Sequence, residues 1–214
     1  MFYLIKDDYN SKISKEFLSV IKQIKNVKNL RLEAFTLIDK AFKRFLGFSS
    51  SFVNSVSEKD LLNLMKKGDK IQGIQCAIAA VFLFEEGNIF YEEGNYNEAY
   101  FRYSKAFSLI YTIFSLELEC ELEGYKELSQ EIANAMEKFE ITSEDQEKLF
   151  YFYKSLGVFS KAEDYLYDLI KDPQKKDFTE NNLKEFYSDL LKKSDEDLIK
   201  GNLPRNEILE ALRA

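Results

Sequence analysis

Apolar residues recur along most of the chain at spacings of three and four, the period of a helix that buries one face. The clearest stretch is 80–111, AVFLFEEGNIFYEEGNYNEAYFRYSKAFSLIY. Leu83, Gly87 and Phe90 fall on one face, and Tyr96, Ala99, Tyr103 and Ala106 on another. Between them Gly94 predicts the end of the first helix, because glycine takes the left-handed backbone at no steric cost, and Asn95 starts the return. A glycine inside a helix costs about 1 kcal/mol relative to alanine. Gly87 therefore predicts a close approach, with Gly87 and Ala99 as the small residues where the two helices meet.

The same period extends in both directions. Ile13, Phe17, Val20, Ile21 and Ile24 form a stripe through Asn26, with Asp7, Asp8 or Ser11 as caps and Lys12, Lys15, Lys22 and Lys25 away from it. After a turn at 26–29, a helix over 30–46 carries Ala34, Ile38 and Ala41 at the spacing of Ala99, Tyr103 and Ala106. Residues 12–46 thus read as a first, degenerate helix pair. Serine-rich 47–56 reads as a loop, and Ser57 with Asp60 predicts a capped short helix over 58–67 that stops at Gly68. The longest pattern follows, 69–93, kept slim by Gly73, Ala77, Ala79 and Ala80. Residues 57–79 therefore form a helix-rich insert before the best pair, 80–111.

Beyond it, Glu117, Glu119, Glu121 and Glu123 alternate with apolar residues, which is the strand period. No second strand-like run exists to pair with it, so the expectation is a break near Ser115 and a helix over 118–139 with its charges at the favourable N-terminus. Thr142 or Ser143 caps a helix ending at Leu156-Gly157. Phe159, Ala162, Leu166 and Leu169 give its partner, closed by Asp172-Pro173. Residues 143–172 form a third pair, in which Gly157, Phe159, Ala162 and Leu166 repeat the spacing of Gly94, Tyr96, Ala99 and Tyr103. Thr179 predicts a cap for 180–193, a short piece over 194–200 stops at Gly201, and Pro204 opens a last helix to Leu212. These helices over 179–214 suit the polar-backed cap that a helical stack requires. The expectation is one all-α domain over 1–214, with at least eight helices and no sheet.

Composition removes most chemistry. Histidine is absent, which excludes Ser-His-Asp and Cys-His catalysis and zinc sites built on histidine. Cys76 and Cys120, far apart in sequence, make neither a zinc site nor a disulfide framework, so a reducing cytoplasm is expected. No apolar run reads as long enough to span a membrane, and MFYLIKDDYN is too short and acidic for a secretory signal. The glutamate run reads as a solvated acidic face rather than a metal site. No nucleophile–base pair or phosphate-binding glycine loop is present, so no enzyme and no cofactor are expected. The net charge of −7 argues against nucleic-acid binding. It is unevenly spread: residues 1–75 carry 14 basic and 8 acidic side chains, the remainder 16 and 29. The basic first third faces a partner or docks on the acidic remainder.

Leu83, Gly87, Phe90, Gly94, Tyr96, Ala99, Tyr103 and Ala106 resemble the tetratricopeptide repeat (TPR), a helix–turn–helix unit of about 34 residues. Two positions depart from it: Glu86 replaces the hydrophobic residue before the glycine, and Tyr111 the closing proline. The layout, with Ile5-Lys6-Asp7-Asp8-Tyr9 at its start, also resembles a family of bacterial helical proteins with TPR-like repeats, which supplies no activity. The TPR resemblance implies an α-α superhelix of stacked antiparallel hairpins whose concave groove binds a peptide or a partner helix. Carried over from the repeat, the inward positions are Phe84, Asn88, Tyr91 and Glu92 in the central pair, and Tyr151, Lys154 and Ser155 in the third. Asn88 stands where peptide-binding repeats hold a peptide backbone. Phe84 stands where a carboxylate clamp needs lysine, which argues against capture of a C-terminal carboxylate. The resulting expectation is a non-catalytic interaction or scaffold module with a protein or peptide partner; a repeat stack is also compatible with homo-oligomers. The alternative is a sensor of a small ligand or signalling peptide, although no DNA-binding helix-turn-helix is visible in 1–75.

Overall fold

Local signals set most helix ends. The structure is a computed structural model that describes residues 2–213, with the side chains of 12–213. The chain forms two compact units, Met1–Phe139 and Glu140–Ala214, where the sequence pattern suggests one domain. The first holds α1 (Phe2–Val27), α2 (Arg31–Leu46), α3 (Ser50–Ser55), α4 (Glu58–Leu64), α5 (Gly73–Glu92), α6 (Tyr96–Ser115) and α7 (Tyr125–Met136). The second holds α8 (Ser143–Leu156), α9 (Phe159–Leu169), a 3-10 turn at Pro173–Lys175, α10 (Lys176–Leu191), α11 (Asp195–Lys200) and α12 (Arg205–Ala211). The protein is all-α in class. α1 is already helical ahead of the expected caps, and the side chains of Asp7, Asp8 and Ser11 lie outside those described.

Two short elements correct the sequence reading. Residues 47–56 contain α3, opened by Ser49, whose hydroxyl accepts from the Phe52 amide at 3.2 Å. The expected absence of any sheet fails at β1 (Lys66–Lys67) and β2 (Lys70–Ile71), which pair antiparallel. Gly68, with φ +63°, supplies the left-handed residue that a two-residue hairpin turn needs. α4 therefore stops at Leu64 and α5 starts at Gly73, later than the pattern suggests.

α5 is the core of the first unit. It packs against α2 and α6, and more lightly against α1 and α7. Phe82 collects Phe17 of α1 at 5.4 Å and Phe42 and Phe45 of α2 at 5.2 and 5.9 Å between ring centroids. Such a helix is apolar nearly all round. By length and composition α5 could cross a membrane, which corrects the expectation of no such run, yet 78% of that window is buried by its own chain. Three residues turn α5 into α6, and Asn95 caps the return by accepting from the Glu98 amide. Gly87 is the close approach, but its counterpart is Tyr103 rather than Ala99. A Cβ at Gly87 would lie 2.5 Å from Cε1 of that ring.

The glutamate run is not helical. α6 closes at Ser115, Glu117 takes φ +49°, and the Leu118 amide returns to the Ile113 carbonyl at 2.9 Å. The chain then crosses the unit as an extended strap until α7 begins after Gly124. Leu118, Cys120 and Leu122 turn inward while Glu119, Glu121 and Glu123 stay exposed. Ser14 of α1 pins the strap, donating to the Glu121 carbonyl at 3.3 Å and accepting from the Glu123 amide at 3.4 Å. The strand period is real; the strap simply has no neighbouring strand.

In the second unit Thr142 caps α8, accepting from the Asp145 amide at 3.2 Å, and Gly157, at φ +81°, ends it before α9 returns. α10 begins at Lys176, so Thr179 is no cap; it lies buried inside the helix and donates to the Lys175 carbonyl at 2.8 Å. Ser194 caps α11, and Pro204 stands one residue before the first turn of α12.

Candidate binding site

α1 and α5 carry complementary charges to one place. Lys25 lies in the last turn of α1 and Lys28 in the turn just after it, while Glu85, Asn88 and Glu92 are three and seven apart on α5 and so share a face. With Ile24 and Ile89 they line a cavity of about 270 Å³. Glu92 accepts from the Lys28 ammonium at 2.7 Å, and that pairing holds Lys28 above the ordinary lysine range. Asn88 accepts from the Tyr103 hydroxyl at 2.8 Å and lines the cavity beside Glu85. Thus two of the four inward positions of the central pair, Asn88 and Glu92, line one cavity. The other two do not. Phe84 is only 7% exposed and packs on Tyr103 with ring centroids 5.6 Å apart, so it belongs to the core rather than to an open face. Tyr91 packs on Tyr96 and Phe139, with the Lys138 ammonium 4.5 Å from its ring centre.

Glu85 escaped the sequence reading. Its side chain is 5% exposed and forms an ion pair with Lys25, whose ammonium lies 3.6 Å from Oε1, just beyond hydrogen-bond distance. Among the described residues Oε1 has no hydrogen-bond donor. Burial pushes the Glu85 carboxyl above the usual range, Lys25 and Asn88 pull it back in part, and Glu131 of α7 adds to the rise. The signal was its place within AVFLFEEGNIF, where an acidic pair interrupts a run with no other charge.

Glu86, one residue on, is buried on the other flank of α5. It accepts from the Ser50 hydroxyl and from the Asn54 amide at 2.8 Å, and Arg102 of α6 lies 3.5 Å away. Burial again raises its carboxyl above the ordinary value, against these partners. A second cavity of about 540 Å³ opens there between α2, α3, α5 and α6. Arg31 lies over Phe35 and Phe90 at 5.6 and 5.7 Å, and Arg102 over Phe90 and Phe101 at 5.0 and 5.3 Å. The departure from the repeat at Glu86 marks this site. Lys105, buried in α6, fixes α3 beside it by donating to the carbonyls of Val53, Asn54 and Val56 at 3.0, 3.1 and 2.6 Å.

In the second unit Tyr151 is exposed and donates to Asn182 of α10 at 3.3 Å, and its ring meets Phe178. Lys154 pairs with Asp189 of α10 at 3.3 Å, and the Ser155 hydroxyl donates to the Tyr151 carbonyl at 2.8 Å. Tyr151 and Lys154 thus engage α10, the second helix on.

Reactive groups are quiet. Burial pushes the Cys76 thiol to about 12 and the Cys120 thiol to about 11, so both stay protonated at neutral pH. Among the described residues no three His, Cys, Asp or Glu side chains are grouped to hold a metal.

A model described as a family of unknown function, DUF6483, matches residues 4–214. The chain belongs to DUF6483. No curated protein and no solved structure matches it. The two flanks of α5 in this DUF6483 chain, each with a buried glutamate beside a cavity, are therefore read from their own chemistry.

Proposed function

We propose that the DUF6483 chain is a non-catalytic interaction module with TPR-like helix pairs. It takes a peptide or partner helix on the face shared by α1 and α5. One observation carries this reading: Asn88 and Glu92, inward positions of the repeat, line a cavity together with Lys25 and Lys28 from the preceding pair. Mixed charge and an amide beside apolar walls suit a polar segment with a defined register. A reducing, cytoplasmic setting suits the two free cysteines.

The test is Lys28→Glu. Lys28 is about half exposed, so the reversal should leave the melting temperature near native. Recovery of a partner on the immobilised chain should fall at least tenfold, about 1.4 kcal/mol. Undiminished recovery at native stability overturns the reading. A second reading, a small-ligand sensor, draws on the 540 Å³ cavity beside Glu86. Native mass spectrometry of the freshly purified chain tests it: a bound small molecule lost in Glu86→Leu supports it, and a bare mass contradicts it.

A further inference from the structure

We propose that Glu85 is the acceptor of a primary ammonium group, the business end of a lysine side chain or a free diamine, inserted into the cavity between α1 and α5. The inference deepens the groove reading above and rests on the same face. Four observations lead to it. Glu85 is a carboxylate more than nine-tenths buried, and it lines the cavity. Among the described residues its Oε1 lacks a hydrogen-bond donor, a costly condition for a buried charge. The field there favours a cation: among the described residues Glu85, Glu92 and Glu131 oppose Lys25 and Lys28, and Lys28 is already held by Glu92. Finally, Ile24 and Ile89 offer apolar wall to the methylene stem behind an ammonium.

Lys25 does not fill this role. Its ammonium stays 3.6 Å away and its side chain is 47% exposed, so it is free to swing into solvent as an incoming group arrives. An ammonium at hydrogen-bond distance from Oε1 would supply the missing donor and lower the preference of Glu85 for its neutral form. The cavity volume of about 270 Å³ accommodates an aminoalkyl chain of lysine length.

Calorimetric titration of the full chain with three probes tests this. They are Nα-acetyl-lysine methylamide, 1,5-diaminopentane and Nα-acetyl-norleucine methylamide. The two amines should bind and the norleucine derivative should not. Glu85→Gln should weaken amine binding at least tenfold, while Glu86→Gln, on the opposite flank, should leave it unchanged. Tighter binding of the lysine probe assigns the site to a lysine of a partner segment; tighter binding of the diamine assigns it to a free polyamine. Equal amine binding by Glu85→Gln, or equal binding of norleucine, overturns the proposal. A measurement on the unmodified chain gives an independent answer. Saturating amine should move the Glu85 carboxyl titration, followed by carbon-13 NMR, to lower pH, and an unmoved titration overturns the proposal. Amine binding without any recovered protein partner would keep this inference and remove the groove reading. A partner lost in Lys28→Glu, with no amine binding, would do the reverse.

Discussion

Glu85 and Glu86 are adjacent in sequence and about 100° apart around α5, so burial of both requires two separate polar arrangements. Both carboxyls titrate above 4.5 in the folded chain because burial disfavours their charged form. Between that value and their folded titration points, the folded chain holds protons that the unfolded chain has released. Stability from these groups is therefore greatest below that interval and falls as pH rises through it. Asp39 and Asp189 titrate below 3.8, so what they contribute is lost only in more acidic solution. Glu85→Gln is expected to raise stability at pH 7.5 by about 1 kcal/mol, or about 2–4 °C in Tm. It should change Tm little at pH 4.5. Melting curves at both values check this, and a lower Tm at pH 7.5 would contradict it. At Gly87 the close approach was legible but its partner was not. The pattern offers Ala99, which is small, whereas the structure uses the edge of the Tyr103 ring. Gly87→Ala should destabilise by about 1–3 kcal/mol by displacing that ring, despite the better helix propensity of alanine. Urea denaturation with an unchanged midpoint would show that Tyr103 yields freely.

At the scale of elements, those with caps and a full turn or more of period were legible. Ser57 caps where the pattern places it, and Thr142 is the one of its two candidates that caps. Asn95, read as the start of the return, and Ser194, read as the first residue of its piece, prove to be caps as well, and each of the four accepts from the amide three residues on. α3 was not legible, because six residues cannot show a 3.6-residue period and serine reads as loop. Its anchor is remote: Lys105, 49 to 52 positions away along the chain. Burial lowers the Lys105 ammonium from the ordinary lysine range, and three carbonyls hold it in place. Lys105→Met should leave those carbonyls without their donor and cost about 2–4 kcal/mol. Hydrogen exchange should show α3 opening well before α5; uniform protection would mean that the cap at Ser49 suffices. The strap over 116–124 was legible as an alternation and misread as a helix. A lone extended segment can satisfy its backbone through a side chain such as Ser14, without a second strand.

At the scale of the whole molecule, the all-α class was legible and the division at 139–140 was not. Glu140, Ile141 and Thr142 contain neither glycine nor proline, so no shift in composition marks the boundary. The aromatic packing of Phe139 on Tyr91, Tyr100 and Tyr103 closes the first unit from its last residue. A fragment spanning 1–139 is expected to fold alone, with a helical far-ultraviolet spectrum and one cooperative melt. A featureless melt would show that residues 140–214 are required. The candidate cavity-lining positions divide in the same way. Asn88 and Glu92 were named from repeat spacing and line one cavity, whereas the acidic pair Glu85-Glu86 was visible only as an interruption of an apolar run, because a sequence shows charge without showing what surrounds it.

The apolar length of α5 also matters before the fold exists. During synthesis, residues 73–92 leave the ribosome ahead of α6, their main cover, and present an unshielded segment that satisfies the length and composition of a membrane span. A charged side chain near the middle of an inserted helix costs about 2.5–3.5 kcal/mol. Glu85 and Glu86 thus oppose insertion of the nascent segment, so the pair that burdens the finished core is expected to disfavour entry of the unfinished chain into a bilayer. Glu85→Leu combined with Glu86→Leu should increase recovery of newly made chains in carbonate-resistant microsomal membranes, and equal partitioning would refute that role.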